Sequence, residues 1–181
     1  MPAIARRSRK ETPRRRAQVP VALRVGHDHD HCREDALGGA EALCAERGAR
    51  LTATRRRVLE IIWESHAPIG AYDILDALKR EGRSAQPPTV YRALDFLLAQ
   101  GLAHRITSLN AYIGCTAPGR RHGAQMLICE RCGTVAELED NRIGDTVMSA
   151  ARAVGFRITD QALEVVGVCR ACAGPGDSGI K

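Results

Sequence analysis

Apolar positions along the chain fall first into helical stripes and then into two-residue alternation. Residues 36–47 read as a helix stopped by Gly48. Residues 55–65 form the next one, with Thr52 or Thr54 as N-cap and Val58, Ile61, Ile62 and Ser65 turned inward. In residues 71–80 the buried stripe is Ala71, Ile74, Leu75 and Leu78. Tyr72, Asp73, Asp76, Lys79 and Arg80 point outward there, and Asp76 can pair with Lys79 or Arg80. From Pro87 onward, Val90, Leu94, Leu97 and Leu98 define a further stripe, with Arg92 nearly opposite and Asp95 and Phe96 beside it. Gly101 has the character of a C′ stop. Two β-like runs, 102–107 and 111–115, are then joined by a Ser108-Leu109-Asn110 turn. The last three of these helices and then a two-stranded hairpin predict the winged helix-turn-helix core of a domain over 36–115. Its last helix would offer Arg92 to a DNA major groove.

Residues 116–123 are a hinge by composition. Beyond them, 125–129 and 134–139 read as strands around Cys129-Glu-Arg-Cys132-Gly. A helix capped by Asp140 or Asn141 runs to Ala153 with Ile143, Val147, Ala150 and Ala151 inward, and Gly155 closes it. Further strand is expected at 156–159 and 163–169, then Cys169-Arg-Ala-Cys172 and a flexible tail at 174–181. A unit spanning 124–173 buries little apolar surface alone, so a structural metal and dimerisation are its expected supports. The fold class is α+β: a winged-helix domain plus a small α/β dimerisation domain.

The formal charge of +6 belongs to the beginning of the chain. Residues 1–33 hold nine Arg/Lys against Glu11, Asp28 and Asp30, while the remainder balances at eighteen of each sign. Residues 1–35 are therefore expected to be a disordered basic arm, either a solvated extension or a non-specific contact for DNA phosphates. Within it, His27-Asp-His29-Asp-His31-Cys32 could chelate zinc loosely. Arg55, Arg56 and Arg57 crowd a helix N-terminus that disfavours cations; they read as a solvated face or as a hint of a phosphate partner. With no membrane-length apolar run and no signal-like N-terminus, the expectation is a soluble, cytoplasmic protein.

Seven cysteines in an intracellular chain point to thiolate or metal chemistry. Cys129-x-x-Cys132 and Cys169-x-x-Cys172 supply the four thiolates of a closed structural zinc site. The alternative, a thioredoxin-like redox pair, lacks its strand–CxxC–helix context. Cys44 has no partner at metal spacing and reads as a small buried apolar side chain. His104, Cys115, His122 and Glu137 are scattered, and any one of them is ordinary. Together they make a donor set that fits tetrahedral zinc, the thiolate favouring zinc over iron or manganese.

Ala71-Tyr72-Asp73-Ile74-Leu75, the run from Pro87-Pro88-Thr89-Val90-Tyr91-Arg92 to Leu97, Ile128-Cys129-x-x-Cys132-Gly133 and Cys169-x-x-Cys172 carry a resemblance. From about residue 40 to 172 the chain resembles the ferric uptake regulator family, within it the zinc-responsive branch. The resemblance implies a dimeric, zinc-dependent repressor of palindromic operator DNA, probed through Tyr72, Thr89, Tyr91 and Arg92. It also implies structural zinc at the four knuckle cysteines and regulatory zinc at His104, Cys115, His122 and Glu137, two ions per protomer. Neighbouring dimers would meet through Asp76, Lys79 and Arg80. The basic arm lies outside the family pattern. An iron- or peroxide-responsive regulator of the same family is the alternative, and after it a zinc buffer supported only by the HDHDHC run. An enzyme is not expected: HExxH and HxE…PCxxC patterns are absent, and four protein ligands leave no open position for a substrate water.

Overall fold

The structure is a computed structural model and describes residues 29–64, 67–119, 124–159 and 161–174. Its first helix, α1 (His29–Glu46), begins well before residue 36, so the end of the expected disordered arm is helical. Cys32 supplies the reason. It packs on the core with Ala36, extending by one turn a stripe continued by Leu37, Ala40, Leu43 and Cys44. Cys44 is a core residue, and burial raises its thiol.

Thr52 caps α2 (Ala53–Ile62), its hydroxyl accepting the Arg55 N–H at 3.4 Å. Val58, Leu59, Ile61 and Ile62 are buried; Ser65 lies outside the described residues. The arginines of this helix are neither a bare solvated face nor a free phosphate site. Arg57 is held by Glu60, Glu64 and Glu81, and Arg56 pairs with Glu41 and Glu60. Arg55 stacks over the Phe96 ring at 3.7 Å. Glu60 and Glu64 are near in sequence, but Glu41 and Glu81 come from other parts of the chain, so local spacing shows only part of the network.

A two-residue strand, β1 (Ile69–Gly70), leads into α3 (Ala71–Arg80), whose Ile74, Leu75 and Leu78 are buried. Then α4 (Pro87–Ala99) buries Val90, Ala93, Leu94 and Leu97, with Leu98 half-buried. The end of α4 sets the path of the wing. Gly101, at φ 66°, donates its N–H to Leu98, and the Leu102 N–H reaches Leu97. This Schellman closure reverses the chain straight into the hairpin. Strands β2 (Ala103–Ile106) and β3 (Ala111–Gly114) form it, turning at Asn110 with φ 47°. With β1 the sheet has three strands, ordered β1-β3-β2, one more than expected, because two residues show no alternation to read.

The wing is two-faced. Strand alternation sends Ala103 and Tyr112 into the helical core, and sends Ile106 and Ile113 into a second cluster with Met126, Ile128 and Val135. Those last three belong to the other sheet, built from β4 (Ala124–Cys129), β5 (Val135–Glu137) and β6 (Ala162–Gly167) in the order β5-β4-β6. There β4 runs antiparallel to β5 and parallel to β6. Between β5 and β6 lies α5 (Asn141–Ala153), capped by Asp140, whose carboxylate accepts the Arg142 N–H at 3.0 Å.

Two expectations fail in this half. None of Ile143, Val147, Ala150 and Ala151 is fully buried, so the apolar side of α5 is left uncovered. Residues 156–159 form no strand: both edges of β4 are already taken, and Phe156 stays 64% exposed. No described helix is long and apolar enough to cross a membrane.

Gly114 is where the wing meets the helices most tightly. A Cβ there would lie 2.2 Å from the Trp63 ring, which caps α2 and is itself buried. Gly114→Ala is expected to lower stability by about 1–3 kcal/mol through overpacking. Thermal denaturation checks this, and Gly119→Ala, beyond the wing, is not expected to disturb Trp63 fluorescence.

Candidate metal centres and nucleic-acid interface

The knuckles are built by short loops at the ends of β4 and β6. In the first, the Gly133 N–H returns to the Cys129 carbonyl at 2.9 Å; in the second, Cys172 and Ala173 both donate to the Cys169 carbonyl. Because β4 and β6 are parallel neighbours, with Cys129 opposite Gly167, the two loops leave the same end of the sheet together. The four Sγ atoms lie within 4.8 Å of one another, and Cys132 and Cys169 are 3.8 Å apart. Sulfurs sharing a tetrahedral zinc with bonds of about 2.3 Å stand about 3.8 Å apart, so the residues fit that ion. The Cys129 thiol is pulled down to about 6, first by the Cys169 N–H, which donates to its sulfur at 3.3 Å. Thr134 beside Cys132 lowers that thiol as well. Hydrogen bonding to Cys169 and then Cys132 drives Cys172 up to about 12. The Cys129 sulfur is thus poised as a thiolate, the form a metal requires, and the Cys132 thiol is shifted in the same direction. All four are free of disulfides.

The second cluster sits where the wing meets the other sheet. Alternation places His104 on the same side of β2 as Ile106, and Cys115 continues the side of β3 that carries Ile113. Glu137 reaches them from β5. One donor atom from each of His104, Cys115 and Glu137 falls within 4.8 Å of the others, and His104 Nε2 is 3.0 Å from Glu137 Oε1. The other carboxylate oxygen accepts the Thr116 N–H at 3.1 Å and its hydroxyl at 2.9 Å. Glu137 is 6% exposed and Cys115 is 2% exposed. Burial and then the Glu137 charge push the Cys115 thiol up to about 12. A buried imidazole nitrogen and carboxylate oxygen at this distance need a proton or a cation between them. A nitrogen, a sulfur and an oxygen converging around one point make a set that suits zinc. His122, the expected fourth member, lies outside the described residues.

A model of the ferric uptake regulator family matches residues 46–166. The chain belongs to that family. It is 41% identical over 140 residues to the zinc uptake regulation protein of Escherichia coli (strain K12), spanning 77% of this chain and 82% of the relative. A solved zinc uptake regulator complexed with zinc and DNA superposes with a TM-score of 0.73 at 40% identity, covering 77% of this chain and 94% of that one. Holo XcZur gives 0.70 at 40% identity, with coverage of 80% and 98%.

Arg92 and Tyr91 are exposed on the first turns of α4, with Thr89 half-buried beside them. Tyr72, at the start of α3, is 66% exposed. Asp76, Lys79 and Arg80 are exposed on α3, but the expected side-chain pair does not form: Arg80 Nε donates to the Asp76 carbonyl at 3.4 Å, and no ion pair joins Asp76 to a described cation. Of the HDHDHC run, His31 Nε2 lies 3.3 Å from Asp35 on α1; these two atoms gather no third described donor.

Sequence reasoning missed the residues that hold the ligands. Thr116 reads as hinge by composition, yet it fixes Glu137. Arg131, inside the first knuckle, donates to the Cys172 carbonyl at 2.6 Å and ties the two knuckles together. An arginine between two cysteines was the available signal in that case.

A metal bound at the His104–Cys115–Glu137 cluster displaces the Cys115 proton. With that thiol raised to about 12, affinity for zinc is expected to fall about tenfold per pH unit below it. Chelator competition across roughly pH 6 to 8, with the four-cysteine set already loaded, measures the slope; a flat profile contradicts a thiolate ligand.

Proposed function

We propose that the chain is a zinc-responsive transcriptional repressor that binds palindromic operator DNA as a homodimer and controls zinc uptake. The observation that carries this is the convergence of His104 and Cys115, on the wing, with Glu137, on the other sheet. The names of the E. coli relative and of the zinc–DNA complex support the same reading. The two donor clusters argue for two zinc ions per protomer. Cys129, Cys132, Cys169 and Cys172 would hold the structural ion, and His104, Cys115, His122 and Glu137 the regulatory one. A cysteine in the latter set disfavours the iron-responsive alternative.

When bound, zinc supplies the positive charge that lets a thiolate and a carboxylate share a buried site. The residues do the rest. His104 and Cys115 are carried on the face of β2 and β3 opposite to the one packed on the helices, so fixing them against Glu137 fixes α4 and Arg92 relative to the second sheet. Exposed Val147, Val154, Phe156, Val165 and Val166 on and after α5 and on β6 offer the apolar surface for a second copy. Two reading heads at one set separation match two half-sites along a duplex. Arg92 reads bases, Tyr72, Thr89 and Tyr91 flank it, and exposed Asp76, Lys79 and Arg80 are placed to meet a neighbouring dimer.

Duplexes selected from a random pool by the zinc-loaded protein provide the probe. Cys115→Ser, with His104→Ala as companion, is expected to leave a folded chain whose DNA affinity no longer responds to buffered zinc. Cys129→Ser is expected instead to lose the folded second unit, seen by circular dichroism and zinc content. An unchanged zinc response in Cys115→Ser defeats the regulatory assignment.

Arg92→Ala is expected to cost about 1–3 kcal/mol of discrimination between selected and scrambled duplexes. Competition binding at fixed salt reads it.

A further inference from the structure

The second sheet turns one cross-strand row toward the wing: Glu137 on β5, Met126 on β4 and Glu164 on β6. Adjacent strands stand about 4.8 Å apart, so the two carboxylates leave the same face about 10 Å from each other. Met126 between them packs on Ile106 and Ile113 of the wing. Glu137 takes the donor cluster and Thr116. Glu164 takes the opposite end of the hairpin: one carboxylate oxygen accepts the Thr107 N–H at 2.6 Å and the other accepts the Ser108 N–H at 3.1 Å. These are the first two amides past β2, more than fifty residues away in sequence. Hydrogen bonds from Ser108 and Thr107 hold the Glu164 carboxyl below its ordinary range. A carboxylate matches two successive N–H groups with two acceptors; no other side chain of that length does.

We propose that Glu164 is a positioning residue for the zinc switch, holding the wing turn on β6 so that His104 and Cys115 stand ready beside Glu137 before metal arrives. This rests on the reading of that cluster as a metal site. The wing is gripped at both ends, and the Glu164 grip needs no metal. Zinc affinity is the intrinsic affinity multiplied by the fraction of molecules already in the competent arrangement. Loosening the grip therefore weakens zinc binding, while protein already saturated with zinc reads DNA as before. A residue that merely supported the fold would not separate those two quantities.

The test uses the full chain with the four-cysteine set loaded, and Glu164→Gln, which keeps the shape but replaces one acceptor with an NH₂ facing an N–H. Glu164→Asp, which keeps the charge but shortens the reach, is the second variant. Zinc affinity by chelator competition is expected to fall about threefold to tenfold in both. Amide exchange at Thr107 and Ser108 is expected to quicken, and the affinity for the selected duplex at saturating zinc to stay unchanged. Zinc affinity equal to wild type, unaltered exchange at those two amides, or a duplex affinity lowered even at saturating zinc would overturn the proposal. A wild-type chain that takes up no second zinc rejects the metal reading itself, and that is seen before any variant is made.

Discussion

Eight strand residues, 103–106 and 111–114, are packed from both sides, and that double burial is the constraint on which the molecule rests. Side chains in a strand alternate between faces, so a hairpin with two buried faces must satisfy two partners in strict register. Here one face answers to Trp63 and the helical core and the other to Met126, Ile128 and Val135. A slip of one residue would exchange the two sets and remove His104 and Cys115 from Glu137. The position of the donor cluster is therefore a consequence of a packing requirement met by apolar residues.

The same arrangement ties chemistry to orientation. The donors are few, short in reach and mounted on strands, so their convergence reports where the two sheets stand. At the knuckles the logic is local: parallel neighbours β4 and β6 bring two loops to one end, and backbone amides prepare the sulfurs. At the wing it is global, because His104 and Cys115 meet Glu137 only through the contact between the wing and the second sheet.

Much of this is legible in the sequence, and the rest is hidden for identifiable reasons. The helices α2 to α5 show in stripes and caps, with Thr52, Gly101 and Asp140 marking their ends. Both CxxC pairs announce their site by spacing. The early start of α1 is hidden because Cys32 sits in a polar run, so its packing face is carried by one residue per turn. The uncovered side of α5 defies the pattern since periodicity tells which residues share a face, not whether anything lies against it. The Glu41 and Glu81 arms of the Arg56 and Arg57 networks, the Thr116 bond and the Glu164 grip join residues far apart in sequence, and no local pattern encodes them. Membership of the ferric uptake regulator family is legible from the motifs, whereas the ligand roles still rest on geometry.

The arginine network on α2 has an electrostatic corollary. Arg56 and Arg57 are each matched by carboxylates within the fold, and Arg55 lies over Phe96. Outside the first 33 residues the chain has no net charge. In the proposed complex these three arginines would therefore bring little uncompensated charge to a polyanion and would add little to the salt dependence of binding. Under the proposed function, attraction at a distance would fall to the arginine-rich leading segment and discrimination to the small group around Arg92, separating how the molecule is drawn to a duplex from how it chooses one.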